Sequence, residues 1–234
     1  MKLSIVIAAY DERENVVPLT RRIHEAVKSI PSCRWEIVYV VEGTDGTREE
    51  IEGLHGEVPG LRVLYQERPA GLGATFRKGF EEIAPDADYV VTMDADLNHR
   101  PEELPRLLDA AVRNDLDILV GSRFVGGGRI DGTPAWKLAL SETMNVVLHW
   151  LWGLPVRDKT SGYRVYRASA LRRLRHRLDD FAFLPELLIL ARRAGMALGE
   201  EPIHFVYRIH GTSKMAISRT IRSYGALLRS RFDR

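Results

Sequence analysis

Two apolar runs near the start of the chain, LSIVIAA and WEIVYVV, are separated by ENVVPLTRRIHEAVKSI, in which apolar side chains recur every three to four positions. Short runs rich in Val, Ile and Tyr read as buried strands, and the segment between them as an amphipathic helix. The alternation continues through LRVLY, YVVTM and DILVGS, with PEELPRLLDAAVRND as a further helical stretch. Strands alternating with helices predict an α/β fold: a mostly parallel sheet flanked by helices. In such sheets ligands lie beyond the carboxyl ends of the strands. Chemistry is therefore expected in AAYDE, EGTDGT, QERPAGLG, DADLNH and GSRFVGGGR, the segments that follow the five runs.

The pattern changes after about Gly126. A glycine-rich loop, VGGGRIDGTP, leads into the aromatic-rich helical segment AWKLALSETMNVVLHWLW, about 135–152, and then the polar run RDKTSGYR. Near the end, Ile217, Ile221, Tyr224 and Leu228 fall at i, i+4, i+7 and i+11, an apolar stripe flanked by arginines. With no internal repeat or low-complexity linker, residues 1–212 read as one unit and 213–234 as a basic amphipathic helix. GLGATFRKG, Gly71 to Gly79, opens a helix after a glycine turn but lacks the dinucleotide fingerprint. It reads as a structural connection, with Arg77 and Lys78 solvated.

Composition narrows the classes. With 45% hydrophobic and 28% charged residues, 234 residues are enough for a substantial core. A net charge of +2 gives no whole-chain nucleic-acid footprint. The charge is uneven: from Ser213 onward six basic residues face Asp233, a net +5 that leaves −3 for the rest. Cys33 is the single cysteine, so neither an internal disulfide nor a cysteine-based metal cluster is expected. No signal-peptide pattern follows Met1, and the most apolar stretch, VVLHWLWGLPV, is cut by His149, Gly153 and Pro155. The expectation is a cytoplasmic chain that touches a membrane face without crossing it.

Asp94 and Asp96, one residue apart just past a strand, suit a hard divalent ion that bridges to phosphate oxygens, Mg²⁺ or Mn²⁺. Glu42 and Asp45 close a neighbouring strand, and Tyr10, Asp11 and Glu12 close the first. Carboxylates there can accept the ring N–H groups of a nucleobase or ribose hydroxyls, and a tyrosine ring can cover a base. The competing reading is an ordinary turn at Asp45–Gly46 and a Glu12 that only favours the next helix start. No His spacing suggests zinc; His149, His204 and His210 are expected in packing or solvent roles.

The ordered set AAYDE, EGTDGT, DADLNHRPEEL, GSR, DKTSGYRVYR and PIHFVYRIHGTSK resembles family 2 glycosyltransferases of the GT-A fold, specifically the polyprenyl-phosphate (dolichyl-phosphate) mannose synthase group. The resemblance covers nearly the whole chain, and the run from Pro202 to Lys214 is its most specific part. It implies a catalytic domain over 1–212 and a nucleotide-sugar site at Ala8, Tyr10, Glu12, Glu42, Asp45, Asp94, Ala95 and Asp96. It implies metal ligands Asp94, Asp96 and Asn98, the last in place of a glutamine. Arg123, Arg208 and Lys214 are implied as the cations of catalysis, and Arg123, Lys137, Ser141, Arg208 and Lys214 as the set that holds the acceptor phosphate. Ser141 and Asn145 keep the relatives' spacing, which puts Lys137 where arginine is usual. EGTDGT departs from the relatives' paired aspartates: Glu42 stands as the base reader, with Asp45 near the ribose or holding the turn, and guanine and uracil stay open.

The reaction this implies is inverting transfer of a hexosyl group, mannose from GDP-mannose, to polyprenyl phosphate. A phosphate monoester already carries about −1.5 to −2 charges near neutral pH, so it needs cations rather than a base. Implied partners are the donor, the lipid acceptor, a membrane surface and a separate membrane-anchoring subunit or domain. Trp136, Trp150 and Trp152 have two readings, core packing, the more common fate of such residues, or contact with lipid headgroups. Rival functions are a UDP-glucose sibling, a silent nucleotide-sugar or membrane-binding module, and a nucleotidyltransferase or Rossmann oxidoreductase, for which the expected GxGxxG after the first strand is lacking.

Overall fold

The computed structural model describes residues 1–207 and 217–229. Its first part runs β1 (Lys2–Tyr10), α1 (Arg13–Lys28), β2 (Arg34–Glu42), α2 (Thr47–Glu52), β3 (Leu61–Gln66), α3 (Leu72–Glu81), β4 (Tyr89–Asp94), α4 (Leu104–Arg113) and β5 (Ile118–Ser122). The second part runs β6 (Arg129–Asp131), α5 (Ala135–Trp152), β7 (Arg164–Arg167), α6 (Ala168–Leu171), α7 (Phe183–Arg193), β8 (Leu198–Pro202), β9 (His204–Val206) and α8 (Ile217–Arg229). Each of the five apolar runs is a strand, in the order expected.

Seven strands form one sheet in the order β3-β2-β1-β4-β7-β5-β8, and β6 pairs with β9 beside it. All pairings in the large sheet are parallel except those of β7, which runs antiparallel between β4 and β5. From β1 the chain moves to β2 and β3 on one side and to β4 on the other. This reversal is the topological switch point that leaves a crevice at the carboxyl ends of β1 and β4. Register places Ala8 beside Asp94 there, and Tyr10, Glu42 and Gln66 in a row across β1, β2 and β3.

Alternating strand residues feed two cores. Ile5, Ile7, Tyr39 and Val91 pack with Leu19 and Ile23 of α1 and Leu107 of α4 on one face. On the other, Val6, Val90 and Val120 pack with Phe76 of α3 and Phe183 and Leu187 of α7. Full burial of each such side chain contributes about 1.5–3 kcal/mol, so both faces hold the strand ends rigid.

Three expectations are corrected. Core packing fails for two tryptophans of α5: Trp136 is 53% and Trp150 83% exposed, and only Asn145 and Leu148 of the helix are buried. Trp152 does pack against the core. The helix is apolar nearly all round, with Lys137 and Glu142 as its charged residues, so burying one face leaves another apolar face outward. In α8 the buried face is Thr220, Ser223 and Leu227, while Ile221 of the predicted stripe is exposed. Leu227 joins the α7 side of the core, and that contact sets the helix rotation. Finally, Arg77 pairs with Asp179 at 2.8 Å and Lys78 bonds Gln66, so neither is merely solvated.

Candidate active site

Asp94 ends β4, and the next residues turn sharply: Leu97 adopts φ 60°. The turn folds the chain back so that Asp96 Oδ1 accepts the Asn98 backbone N–H at 3.2 Å and Asp96 Oδ2 accepts Asn98 Nδ2 at 2.7 Å. That second bond orients the amide, leaving Asn98 Oδ1, in a residue only 5% exposed, buried without a donor. A buried acceptor oxygen in one turn with two carboxylates could supply the oxygen ligands that a hard cation takes. Ala95 between the acids is buried. His99 backs the turn, its Nδ1 3.8 Å from Asp94 Oδ2, with its ring against Tyr163 and Phe205. Burial drives its pKa down to about 4, against the field of Asp96, so at neutral pH it adds no charge beside the acids.

The loop 157–162 joins the acids to the cations. Gly162 lies against Asp94: a Cβ there would stand 3.2 Å from both carboxylate oxygens. Its carbonyl accepts Thr92 Oγ1 of β4 at 2.7 Å. Asp158 at the other end is fully buried and takes Arg123 Nε at 2.7 Å and Nη2 at 2.8 Å. Arg123 Nη2 also donates to Thr160 Oγ1 at 2.7 Å and Ser141 Oγ at 3.4 Å. Burial works against the Arg123 charge, but Asp158 and then Asp94 raise its pKa above the ordinary value. Beneath the loop Arg164, fully buried, donates to the carbonyls of Lys159, Ser161 and Leu184 and so clamps it to α7.

α5 closes this side. Asn145 Oδ1 accepts the Lys159 N–H at 2.8 Å, and Ser141 Oγ meets Thr160 Oγ1 at 2.9 Å. Lys137 Nζ donates to Tyr207 Oη at 2.8 Å, directly before Arg208 in sequence. Arg208, Lys214 and His210 themselves lie outside the described residues.

At the other end of the row, Tyr10 is 37% exposed at the tip of β1, where its ring can cover a base. Glu12 also ties the fold: its carboxylate takes Asn15 Nδ2 at 2.6 Å, and its backbone N–H donates to Thr47 Oγ1 at 2.9 Å. Asp45 holds the turn, with Oδ1 accepting Thr47 N at 2.9 Å and Oδ2 accepting Arg13 N at 3.2 Å. Burial opposes its charge, but these bonds lower its pKa on balance. Glu42 is only 4% exposed, and its Oε1 accepts Gln66 Nε2, Ala70 N at 3.0 Å and Thr75 Oγ1 at 2.8 Å. It ties β2, β3 and α3 together.

The fold therefore gathers Asp94, Ala95, Asp96, Asn98, Arg123, Ser141 and Asn145 around one loop, with Lys137 on the adjoining helix. Sequence reasoning quoted DKTSGYR without assigning roles, and so missed Asp158, Thr160, Gly162 and Arg164. An acid, a hydroxyl and a glycine within five residues was the available signal.

The profile of glycosyl transferase family 2 matches residues 4–175. Polyprenol monophosphomannose synthase of Mycolicibacterium smegmatis is 36% identical over 91% of this chain and 80% of that one. Undecaprenyl-phosphate mannosyltransferase of Micrococcus luteus is 32% identical over 92% and 88%. Dolichol-phosphate mannosyltransferase of Pyrococcus furiosus is 32% identical over 96% of this chain, which spans 62% of that protein. Among solved structures, glucosyl-3-phosphoglycerate synthase of Mycobacterium tuberculosis, in complex with Mn²⁺, UDP and glucosyl-3-phosphoglycerate, superposes with TM-score 0.73 at 19% identity, over 98% of this chain and 79% of that one. That likeness supports the GT-A type of sheet observed here. With a strand-end acid pair set against a loop-held arginine, and a profile match over most of its length, this chain belongs to glycosyl transferase family 2.

Proposed function

We propose that the protein transfers mannose from GDP-mannose to a polyprenyl phosphate with inversion, giving a β-linked lipid-phosphate sugar. One observation carries the reading: Asp94, in one turn with Asp96 and the undonated Asn98 Oδ1, packs against Gly162 of the loop whose Asp158 and Thr160 hold Arg123. Three relatives named for mannose transfer to polyprenyl-type phosphates add to it.

Asp94, Asp96 and Asn98 would hold Mg²⁺ or Mn²⁺; Mn²⁺ accompanies the nucleotide in the M. tuberculosis structure. Once bound, such an ion offsets charge on the departing diphosphate. Tyr10 covers the base. Arg123 and Lys137 orient the acceptor phosphate against its repulsion from the donor, with Arg208 and Lys214 assigned the same task from sequence. A phosphate oxygen forms the bond to the anomeric carbon as the carbon–oxygen bond to the diphosphate breaks, and its electron pair leaves with the nucleotide. No proton moves, so no base is required. Attack from the face opposite the leaving group turns an α-linked donor into a β-linked product.

The outward apolar face of α5, with Trp136 and Trp150, is assigned to the membrane surface where the lipid acceptor resides. The basic terminal segment adds attraction to anionic lipid, about 1 kcal/mol per cation near the surface. Among the described residues no helix is long and apolar enough to cross a membrane. A cytoplasmic membrane face, and a separate anchoring subunit or domain, complete the proposal.

The test is incubation with Mg²⁺ or Mn²⁺, polyprenyl phosphate and radiolabelled GDP-mannose or UDP-glucose, followed by organic extraction. Label from GDP-mannose alone is expected. Label from UDP-glucose alone would reassign the donor, and none from either would sink the transferase reading.

A further inference from the structure

Given a nucleotide-sugar donor in the crevice, as proposed above, we infer that Lys78, steered by Gln66, selects a base with a carbonyl at purine C6 or pyrimidine C4, guanine or uracil, over adenine and cytosine, which carry an amino group at that position. Gln66 ends β3, in register with Glu42 and so with Tyr10, which puts its side chain in the row of strand tips that faces a base. Its amide can sit only one way. Glu42 Oε1 is purely an acceptor, so Gln66 presents Nε2 to it; Lys78 Nζ is purely a donor, so Gln66 presents Oε1, at 3.2 Å. Lys78 Nζ is further fixed by the Tyr65 carbonyl at 3.4 Å.

Chemistry then decides what this edge can read. With three donors already on Glu42 Oε1, that oxygen is committed to the protein. The ammonium of Lys78 has a third N–H beyond its two bonds, and the Gln66 amide has a second. Both are donors. Such an edge accepts the O6 of guanine or the O4 of uracil, whereas the adenine N6 and cytosine N4 amino groups would set donor against donor. Leaving a polar group unpaired in this way weakens binding on the order of 10- to 100-fold.

Comparison within size-matched pairs isolates the exchange of carbonyl for amino. Affinities of GDP, ADP, UDP and CDP for the full chain with Mn²⁺ are measured by calorimetry, for wild type, Lys78→Met and Lys78→Arg. Wild type is expected to prefer GDP over ADP and UDP over CDP by about 10-fold or more. Lys78→Met should bring both ratios within about 3-fold, with Lys78→Arg retaining them, since only a donor is needed. Ratios unchanged in Lys78→Met, or absent from wild type while nucleotides still bind, overturn the assignment alone. Failure of all four to bind wild type overturns the donor site and the assignment together.

Discussion

Arg123 and Asp158 meet side-on, Nε to Oδ2 at 2.7 Å and Nη2 to Oδ1 at 2.8 Å, with the carboxylate fully buried. The guanidinium that sequence assigns to phosphate is thus aimed by a carboxylate that sequence does not assign. Holding one rotamer in advance removes the entropy that a long cation would otherwise lose on meeting phosphate.

Removing either partner leaves the other charge dry. Arg123→Met or Asp158→Leu alone should destabilise the fold by about 3–5 kcal/mol, while the double variant should recover most of it. Urea unfolding of the cycle decides; additive losses would show that the two do not act as a pair.

Gly162→Ala tests the coupling of the loop to the acids. The new methyl would stand 3.2 Å from both Asp94 oxygens, which must turn aside. Mn²⁺ affinity should fall about 10-fold with little change in Tm. Unchanged metal affinity would place Asp94 outside the metal site.

Asp94→Asn and Asp96→Asn should each lower sugar transfer by about 100-fold or more, because charge on the leaving diphosphate goes uncompensated. The assay is label transfer at saturating Mn²⁺. Full activity in either variant would exclude that acid from the reaction.

On α5, Trp150→Glu removes the most exposed large apolar side chain of that helix. Sedimentation with anionic vesicles should show partitioning reduced on the order of tenfold, with stability changed by less than about 0.5 kcal/mol. Equal partitioning would detach this face from the membrane.

His176 reports on acid stability. It is 6% exposed, with Nε2 2.8 Å from the Gly73 carbonyl, and burial lowers its pKa from 6.5 despite that bond. The folded state therefore resists protonation, so the unfolded chain gains protons first as pH falls below 6.5 and stability drops. Above 6.5 the effect vanishes. Tm measured from pH 8 to 5 should fall less steeply in His176→Phe than in wild type.

Much of the site was legible because its parts are local. DAD follows an apolar run, so its place at a strand tip needs only periodicity and the rule for α/β sheets. Glu42 shows the limit: a carboxylate ending β2 looks like a base reader, yet its Oε1 is taken by Gln66, Ala70 and Thr75. Those partners come from β3, the following loop and α3, and no spacing within EGTDGT announces them. Asp45 and Glu12 are likewise tied to Thr47, through the Asp45 carboxylate and the Glu12 backbone N–H, across 35 positions of chain in the second case.

The chain's own pattern determined the alternation of strands and helices, the parallel character of most of the sheet, the acid pair at the fourth strand tip and the extent of the aromatic helix. Each follows from hydrophobic period and turn chemistry acting over a few residues. Tertiary structure alone decided that β7 inserts antiparallel between β4 and β5, that loop 157–162 bridges Asp94 to Arg123, and which faces of α5 and α8 turn inward. These depend on contacts between segments far apart in sequence. There the burial of Leu227, the pairing of Arg123 with Asp158 and the clamp of Arg164 outweigh what any single segment prefers.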